Sequence, residues 1–240
     1  MMRRLLLIAL LLLPAACGHK GPVRPLGVPL PAAVRQLTVT QFGGSLVVSW
    51  LPPAANQDGS PLQSMKEFAV YRQQFDPQDD CPECRPPKTP VARVAAEPGR
   101  DSYRFVDRKG LRPGKGYRYR VVPLATGNLA GEPAQARSLF VEPPAKPTLP
   151  GGQALEKLNR LSWQAPAGAT PGGYRIERAA GPAGEPFEML TELPAERTSY
   201  DDFAVKGGTS YRYRVRAFYR SDRGKVYSEA AGPVDLVAVP

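Results

Sequence analysis

Residues 111–121 read LRPGKGYRYRV, and residues 205–215 read VKGGTSYRYRV. In each, a turn-forming Gly segment runs into an alternation of tyrosine and arginine. A period of two belongs to an extended strand, whose successive side chains point to opposite faces. Tyr117, Tyr119 and Val121 therefore share one face, and Arg118 and Arg120 take the other. The second copy sets Tyr211, Tyr213 and Val215 against Arg212, Arg214 and Arg216. Both read as half-buried strands with an aromatic inner face and a solvated basic outer face.

Working outward, the repeat extends upstream. SLVVSWLPP (45–53) has a counterpart in NRLSWQAP (159–166), and FAVYRQ (68–73) in YRIERA (174–179). Trp50 lies 22 residues before Arg72, and Trp163 lies 15 before Arg178. Arg72 lies 45 residues before Tyr117, and Arg178 lies 33 before Tyr211. The differences fall in turn-rich stretches, as loop insertions do. Leu46, Val48 and Trp50 share one strand face, with Val47 and Ser49 on the other. One apolar face per strand predicts two sheets packed face to face. With 28 prolines and 23 glycines in 240 residues, the composition argues against a helix-rich fold, because proline lacks an N–H and interrupts helices.

These residues resemble fibronectin type III modules. Trp50 and Trp163 stand where that family carries a core tryptophan on its second strand. Leu111, Pro113, Gly114 and Tyr117 fit its Leu-x-Pro-Gly-x-x-Tyr run. Val205, Gly208 and Tyr211 fit it again, with Gly207 where proline would be. The resemblance covers about residues 33–240 and implies an all-β chain of two tandem immunoglobulin-like β-sandwiches, at 33–143 and 144–240. It also implies that Tyr117 and Tyr211 are tyrosine corners, each hydroxyl bonding back to the chain just upstream.

The N-terminus reads differently. Arg3 and Arg4 precede nine apolar residues at 5–13, then Pro14-Ala15-Ala16 and Cys17. The run is too short for a membrane-spanning helix, which needs roughly 20 apolar residues, and matches a secretory signal. Residues 1–16 with Cys17 resemble a bacterial lipoprotein signal peptide, with Pro14 where a leucine is usual. That resemblance implies cleavage before Cys17, diacylglycerol on its sulfur and a further acyl chain, such as palmitate, on its amino group. More than one chain anchors a protein stably. Gly18, where aspartate would mark inner-membrane retention, implies the outer membrane, facing the periplasm. Cys17-Gly18-His19-Lys20-Gly21-Pro22 also resembles the mature start of a small lipoprotein family associated with lipopolysaccharide assembly. By composition, residues 17–32 are an extended Pro/Gly-rich tether, reaching up to roughly 50 Å if polyproline-like.

Cys81-Pro82-Glu83-Cys84 is a C-x-x-C pair inside the first module's longer loop. A zinc site needs three or four protein ligands. With Cys17 acylated and His19, the single histidine, on the tether, those ligands are lacking. Asp79 and Asp80 would raise a thiol pKa, the wrong direction for a redox thiolate. The expectation is a structural disulfide between Cys81 and Cys84, which a short loop makes worth about 2 kcal/mol. Asp76, Asp79, Asp80 and Glu83 make this loop acidic. They match no calcium-loop spacing and read as a solvated, disulfide-stiffened knuckle facing a partner.

The formal charge is +10, or +8 once Arg3 and Arg4 leave with the signal peptide. Nucleic-acid binding is not expected, because the tyrosines turn inward and leave no stacking platform. No nucleophile–histidine set can form, and adjacent Asp201 and Asp202 point to opposite strand faces. The chain is expected to need no cofactor and no metal, and to bind rather than catalyse. The expected partners are the membrane through its lipid anchor, an envelope protein, or an anionic polysaccharide on the basic sheet faces. A role as accessory factor in lipopolysaccharide assembly rests on the tether alone.

Overall fold

The structure is a computed structural model and describes residues 29–62, 65–79, 87–168, 170–221 and 224–240. Those residues are all-β. The first module contributes β1 (Arg35–Phe42), β2 (Ser45–Leu51), β3 (Met65–Phe75), β4 (Ala92–Ala95), β5 (Tyr103–Asp107), β6 (Gly116–Ala125), β7 (Leu129–Ala130) and β8 (Ala134–Leu139). The second contributes β9 (Thr148–Leu155), β10 (Leu158–Gln164), β11 (Gly173–Ala180), β12 (Glu188–Leu193), β13 (Ser199–Asp202), β14 (Ser210–Ser221), β15 (Gly224–Tyr227) and β16 (Ala231–Val237).

Each module is a fibronectin type III-like sandwich. In the first, β1-β2-β5 packs on β4-β3-β6-β8, with β7 on the end of β6. In the second, β9-β10-β13 packs on β12-β11-β14-β16, with β15 on the end of β14. The inward faces are those the alternation predicts. Leu46, Val48 and Trp50 of β2 pack with Phe68, Val70, Tyr117, Tyr119 and Val121. Leu161 and Trp163 pack with Tyr174, Ile176, Tyr211, Tyr213 and Val215. Trp50 meets Phe68 edge-on at 5.5 Å, and Trp163 meets Tyr174 likewise at 5.3 Å. Edge-to-face pairs align ring edges with the electron-rich faces and add to burial.

A polar device is repeated under each core. Tyr117 Oη accepts the Arg112 N–H at 2.8 Å, and Tyr211 Oη accepts the Lys206 N–H at 2.9 Å, five residues upstream in both. Beside each corner lies an Arg–Asp–Tyr set. Tyr119 Oη donates to Asp107 at 2.7 Å, while Arg72 Nη1 holds the same carboxylate at 2.9 Å and the Lys109 carbonyl. Tyr213 Oη donates to Asp202 at 2.7 Å, while Arg178 Nη1 holds it at 2.8 Å with the Ala204 carbonyl. Asp107 is 4% exposed and Asp202 1%; carboxylates buried this deeply need close hydrogen-bonding partners. Burial and the hydrogen bond to aspartate push the Tyr119 hydroxyl far above the usual phenol range. Asp201 faces outward to Arg160, opposite to Asp202, as strand alternation requires.

Two features extend beyond the single sandwich. The last tether residues bind the first module: Ala32 N–H donates to Ala55 O at 3.1 Å and Gln57 N–H to Leu30 O at 2.8 Å. The modules are also joined through their sheets. The β14–β15 hairpin reaches across so that β15 pairs in parallel with β1, Gln41 opposite Val226 and Phe42 opposite Tyr227. An eight-stranded sheet, β12-β11-β14-β15-β1-β2-β5 with β16 beside β14, therefore runs through both modules. Phe42 stacks on Tyr227 at 4.7 Å and 11°. Gly43 turns away at φ +55°, where a Cβ would meet the Glu229 carboxylate. Gln41, 2% exposed, bonds both backbone groups of Val141 at 2.7 and 3.1 Å, tying the inter-module linker to the seam.

Candidate functional site

The seam sets two outward sheet faces side by side. On the first module, alternation turns Thr40, Ser49 and Arg104 away from the core. On the second, it turns out Arg175, Glu177, Arg214 and Arg216. Between these faces runs a groove of about 530 Å³, within the roughly 300–1,000 Å³ of small-molecule sites.

The second module's wall is charged and tightly built. Arg175 stands opposite Arg216 on the β11–β14 ladder, and Glu177 stands opposite Arg214. Like charges directly opposite on a sheet are destabilising, so this wall needs its glutamate. Glu177 is 2% exposed. Its Oε1 accepts from Arg175 Nε at 2.8 Å, and its Oε2 accepts from Arg214 and from Arg216, the latter at 3.2 Å. Arg216 also donates to the Ser228 carbonyl at 2.8 Å. Burial pulls the Arg216 guanidinium below the ordinary arginine range, with Glu177 opposing that shift and Arg214 adding to it. Aromatic rings flank the cluster: Arg175 and Arg216 lie 5.2 Å from Phe42, and Arg214 lies 4.1 Å from Phe187.

At the seam, Glu229 accepts the Gly44 N–H at 2.9 Å. Tyr227 donates to Glu192 at 2.6 Å, and Lys225 bonds the same carboxylate. Burial, reinforced by Glu192, pushes the Tyr227 hydroxyl up to about 12. Burial works against the Glu192 charge, but the bonds from Lys225 and Tyr227 prevail and hold its carboxyl below the usual range. Arg104 and Arg108 enter from the first module. Among the described residues, neither side chain has a hydrogen-bond or ion-pair partner. The groove thus sets Arg104, Arg108, Arg175, Arg214 and Arg216 against Glu177 and Glu229.

The expected solvated basic face is corrected here. The arginines do point away from the core, but Arg216 and Arg118 are each only 8% exposed. Neighbouring rings cover them, because Phe42 and Phe187 come from elements the strand pattern could not place beside them. Arg118 lies 5.4 Å from Phe75, and Arg120 lies 6.0 Å from Tyr71.

The other expected residues are scattered. Trp50, Trp163, Tyr117 and Tyr211 lie in the two cores. Asp76 pairs with Lys115 at 2.7 Å, and that hydrogen bond holds its carboxyl below the usual range. Asp79 closes a tight turn, its N–H donating to Asp76 O at 2.9 Å. Cys17, Asp80, Cys81, Glu83 and Cys84 lie outside the described residues, so the disulfide and lipidation expectations stand apart from this geometry. Glu177, Arg104 and Phe42 were missed as site residues. A usable signal was present: arginine on two adjacent strands at ladder-matched positions, with one acid between them.

The described chain is a tandem of two fibronectin type III-like sandwiches with a cationic groove between them. No protein-family model matches it. Among solved structures, the FN1–FN3 domains of chicken CNTN1 are similar at 18% identity, over 91% of this chain and 71% of that one, with a TM-score of 0.39. The assignment of the sandwiches rests on their own strand order and cores.

Proposed function

We propose that this chain is a non-catalytic, lipid-anchored binding protein of the bacterial cell envelope, held by Cys17 at the outer membrane and facing the periplasm. The observation that carries the binding role is the groove. Two sandwiches are locked into one sheet, and the lock leaves five arginines facing a cavity with two carboxylates. The leader at residues 1–16 and Cys17 support the location. The residue inventory supports the non-catalytic reading: the single histidine is His19, on the tether.

A second surface supports a scaffolding role toward proteins. β12 is an edge strand of the long sheet, and Met189 on it is 53% exposed. Unpaired edges accept a partner's strand. The acidic segment at residues 76–87 is the other candidate contact.

Mass spectrometry of the protein purified from its own membranes tests the location. The mature chain is expected to begin at Cys17 carrying acyl chains. A bare thiol, or a leader still attached, would overturn the envelope reading. Crosslinking from the same membranes, with and without residues 76–87, tests the protein-facing surface; the deletion should remove a crosslinked partner.

A further inference from the structure

We infer that the inter-module groove binds an acidic saccharide, a chain of sugars bearing carboxylates. This rests on the binding role proposed above and names its ligand class.

The charge argument comes first. Glu177 already serves Arg175, Arg214 and Arg216. One carboxylate cannot neutralise three guanidiniums, so this wall keeps excess positive charge beside a cavity. Arg104 and Arg108 add two exposed guanidiniums across it. The planar guanidinium fork matches a carboxylate bidentately.

The choice among anions comes from the remaining lining. A peptide can add its backbone to a free strand edge or present acidic side chains to an arginine cluster. Here β1 and β15 take up each other's edge at Gln41–Val226 and Phe42–Tyr227, while β5, which carries Arg104, keeps an edge that the hexaglutamate probe below tests. What favours a saccharide is that the first module lines the groove with hydroxyls, on Thr40, Ser45 and Ser49, beside Val47 and Val106. Side-chain hydroxyls and carboxylates suit a ligand that itself carries many hydroxyls. A cavity of about 530 Å³ falls within the range that takes a small-molecule ligand.

The test uses the full mature protein in detergent and isothermal calorimetry with four probes. These are a hexamer of galacturonate, a neutral glucose hexamer, a hexaglutamate peptide and inorganic phosphate. The galacturonate hexamer is expected to bind at least about tenfold tighter than each of the others, the worth of one well-placed charged hydrogen bond. Its affinity should weaken as salt is raised. Arg104→Gln with Arg108→Gln should weaken it by about tenfold or more while leaving the melting temperature unchanged, because neither side chain has a structural partner. Arg197→Gln, on an exposed turn outside the groove, should change nothing. Equal or tighter binding of the peptide assigns the groove to acidic protein segments and overturns the proposal. So does equal binding of phosphate or the neutral hexamer, no heat from the galacturonate, or an unaffected double variant. Any of these leaves the acylation of Cys17, and with it the envelope location, to its own measurement.

Discussion

The two modules answer one strand position in opposite ways. On the first, Ala69 faces Val122 across the β3–β6 ladder, and Tyr71 faces Arg120. On the second, the matching pairs are Arg175 with Arg216 and Glu177 with Arg214. The first outer face closes into a small apolar cluster of Ala69, Val122 and Leu124, with Tyr71 packed against it. The second becomes the charged wall of a groove. The inner faces hardly differ: both modules keep a core tryptophan, a corner tyrosine and an Arg–Asp–Tyr set. Identical cores allow the outer faces to diverge, because alternation separates the two faces of one strand. Stability belongs to the shared face and specialisation to the other.

The sharpest way to break that contrast is Glu177→Ala. It should cost about 3–5 kcal/mol in a denaturant titration, because it removes the carboxylate that three guanidiniums share and leaves the buried Arg216 with only the Ser228 carbonyl to bond. Tyr71→Ala, at the matching position, leaves no such charge and should cost clearly less. If Glu177→Ala were no worse than Tyr71→Ala, the charged wall would not depend on its glutamate.

Asp107→Asn and Asp202→Asn probe what the modules share. Each removes the charge that Arg72 or Arg178 holds, and each should cost about 1.5–3 kcal/mol, the range for charged hydrogen bonds. Similar losses are expected, since the two sets have the same geometry. A large difference would show that the repeat is one of shape only.

Alkaline pH reads the buried phenols. Tyr119 and Tyr213 are raised in their cores, by burial first, and Tyr227 is pushed up to about 12 at the seam. An unfolded tyrosine ionises near pH 10. Above that the folded state binds more protons than the unfolded one, so stability falls as pH rises. It is fully present below pH 10, and the Tyr227 share is lost by about pH 12. Each group steepens the fall by up to about 1.4 kcal/mol per pH unit. Tyr227→Phe should flatten the curve between those limits, and an unchanged slope would remove the seam from this account. Glu192 acts at the other end. Its carboxyl is held low, so its contribution is present above the unfolded value and fades as pH drops through the folded one.

Gly43→Ala addresses the seam directly. A side chain at φ +55° costs roughly 1–2 kcal/mol, and Glu229 must leave the Gly44 N–H to make room. The expected readout is a broader or split melting transition, with the two modules less coupled. Smallest are Tyr117→Phe and Tyr211→Phe, each near 1 kcal/mol, the net worth of one hydrogen bond. Each change should register in its own module.

Much of the fold was legible because its signals are local. A strand shows its period within five residues, so the inward tyrosines and the Leu46, Val48 and Trp50 face could be read directly, while Trp163 and the tyrosine corners were implied by the resemblance to fibronectin type III modules. Asp107 and Asp202 were not read as partners of Tyr119 and Tyr213, although they lie 12 and 11 residues before those tyrosines. A carboxylate at a strand end looks solvated until the arginine of another strand is placed over it. The local pattern of arginines around Glu177 was visible, but its burial was not, because that depends on the β14 arginines that close over it. The seam had no sequence signal at all. Phe42 and Tyr227 are separated by most of the chain, and nothing near either one names the other.

Alternation and repetition, on their own, determined that this is a doubled β-sandwich with aromatic cores, since both are set within one strand's length. Tertiary structure alone decided that the β14–β15 hairpin would meet β1, that the two sheets would become one, and that five arginines would share a groove. Pairing between distant strand edges depends on where whole modules come to rest, and only the packed chain brings those edges within hydrogen-bonding distance.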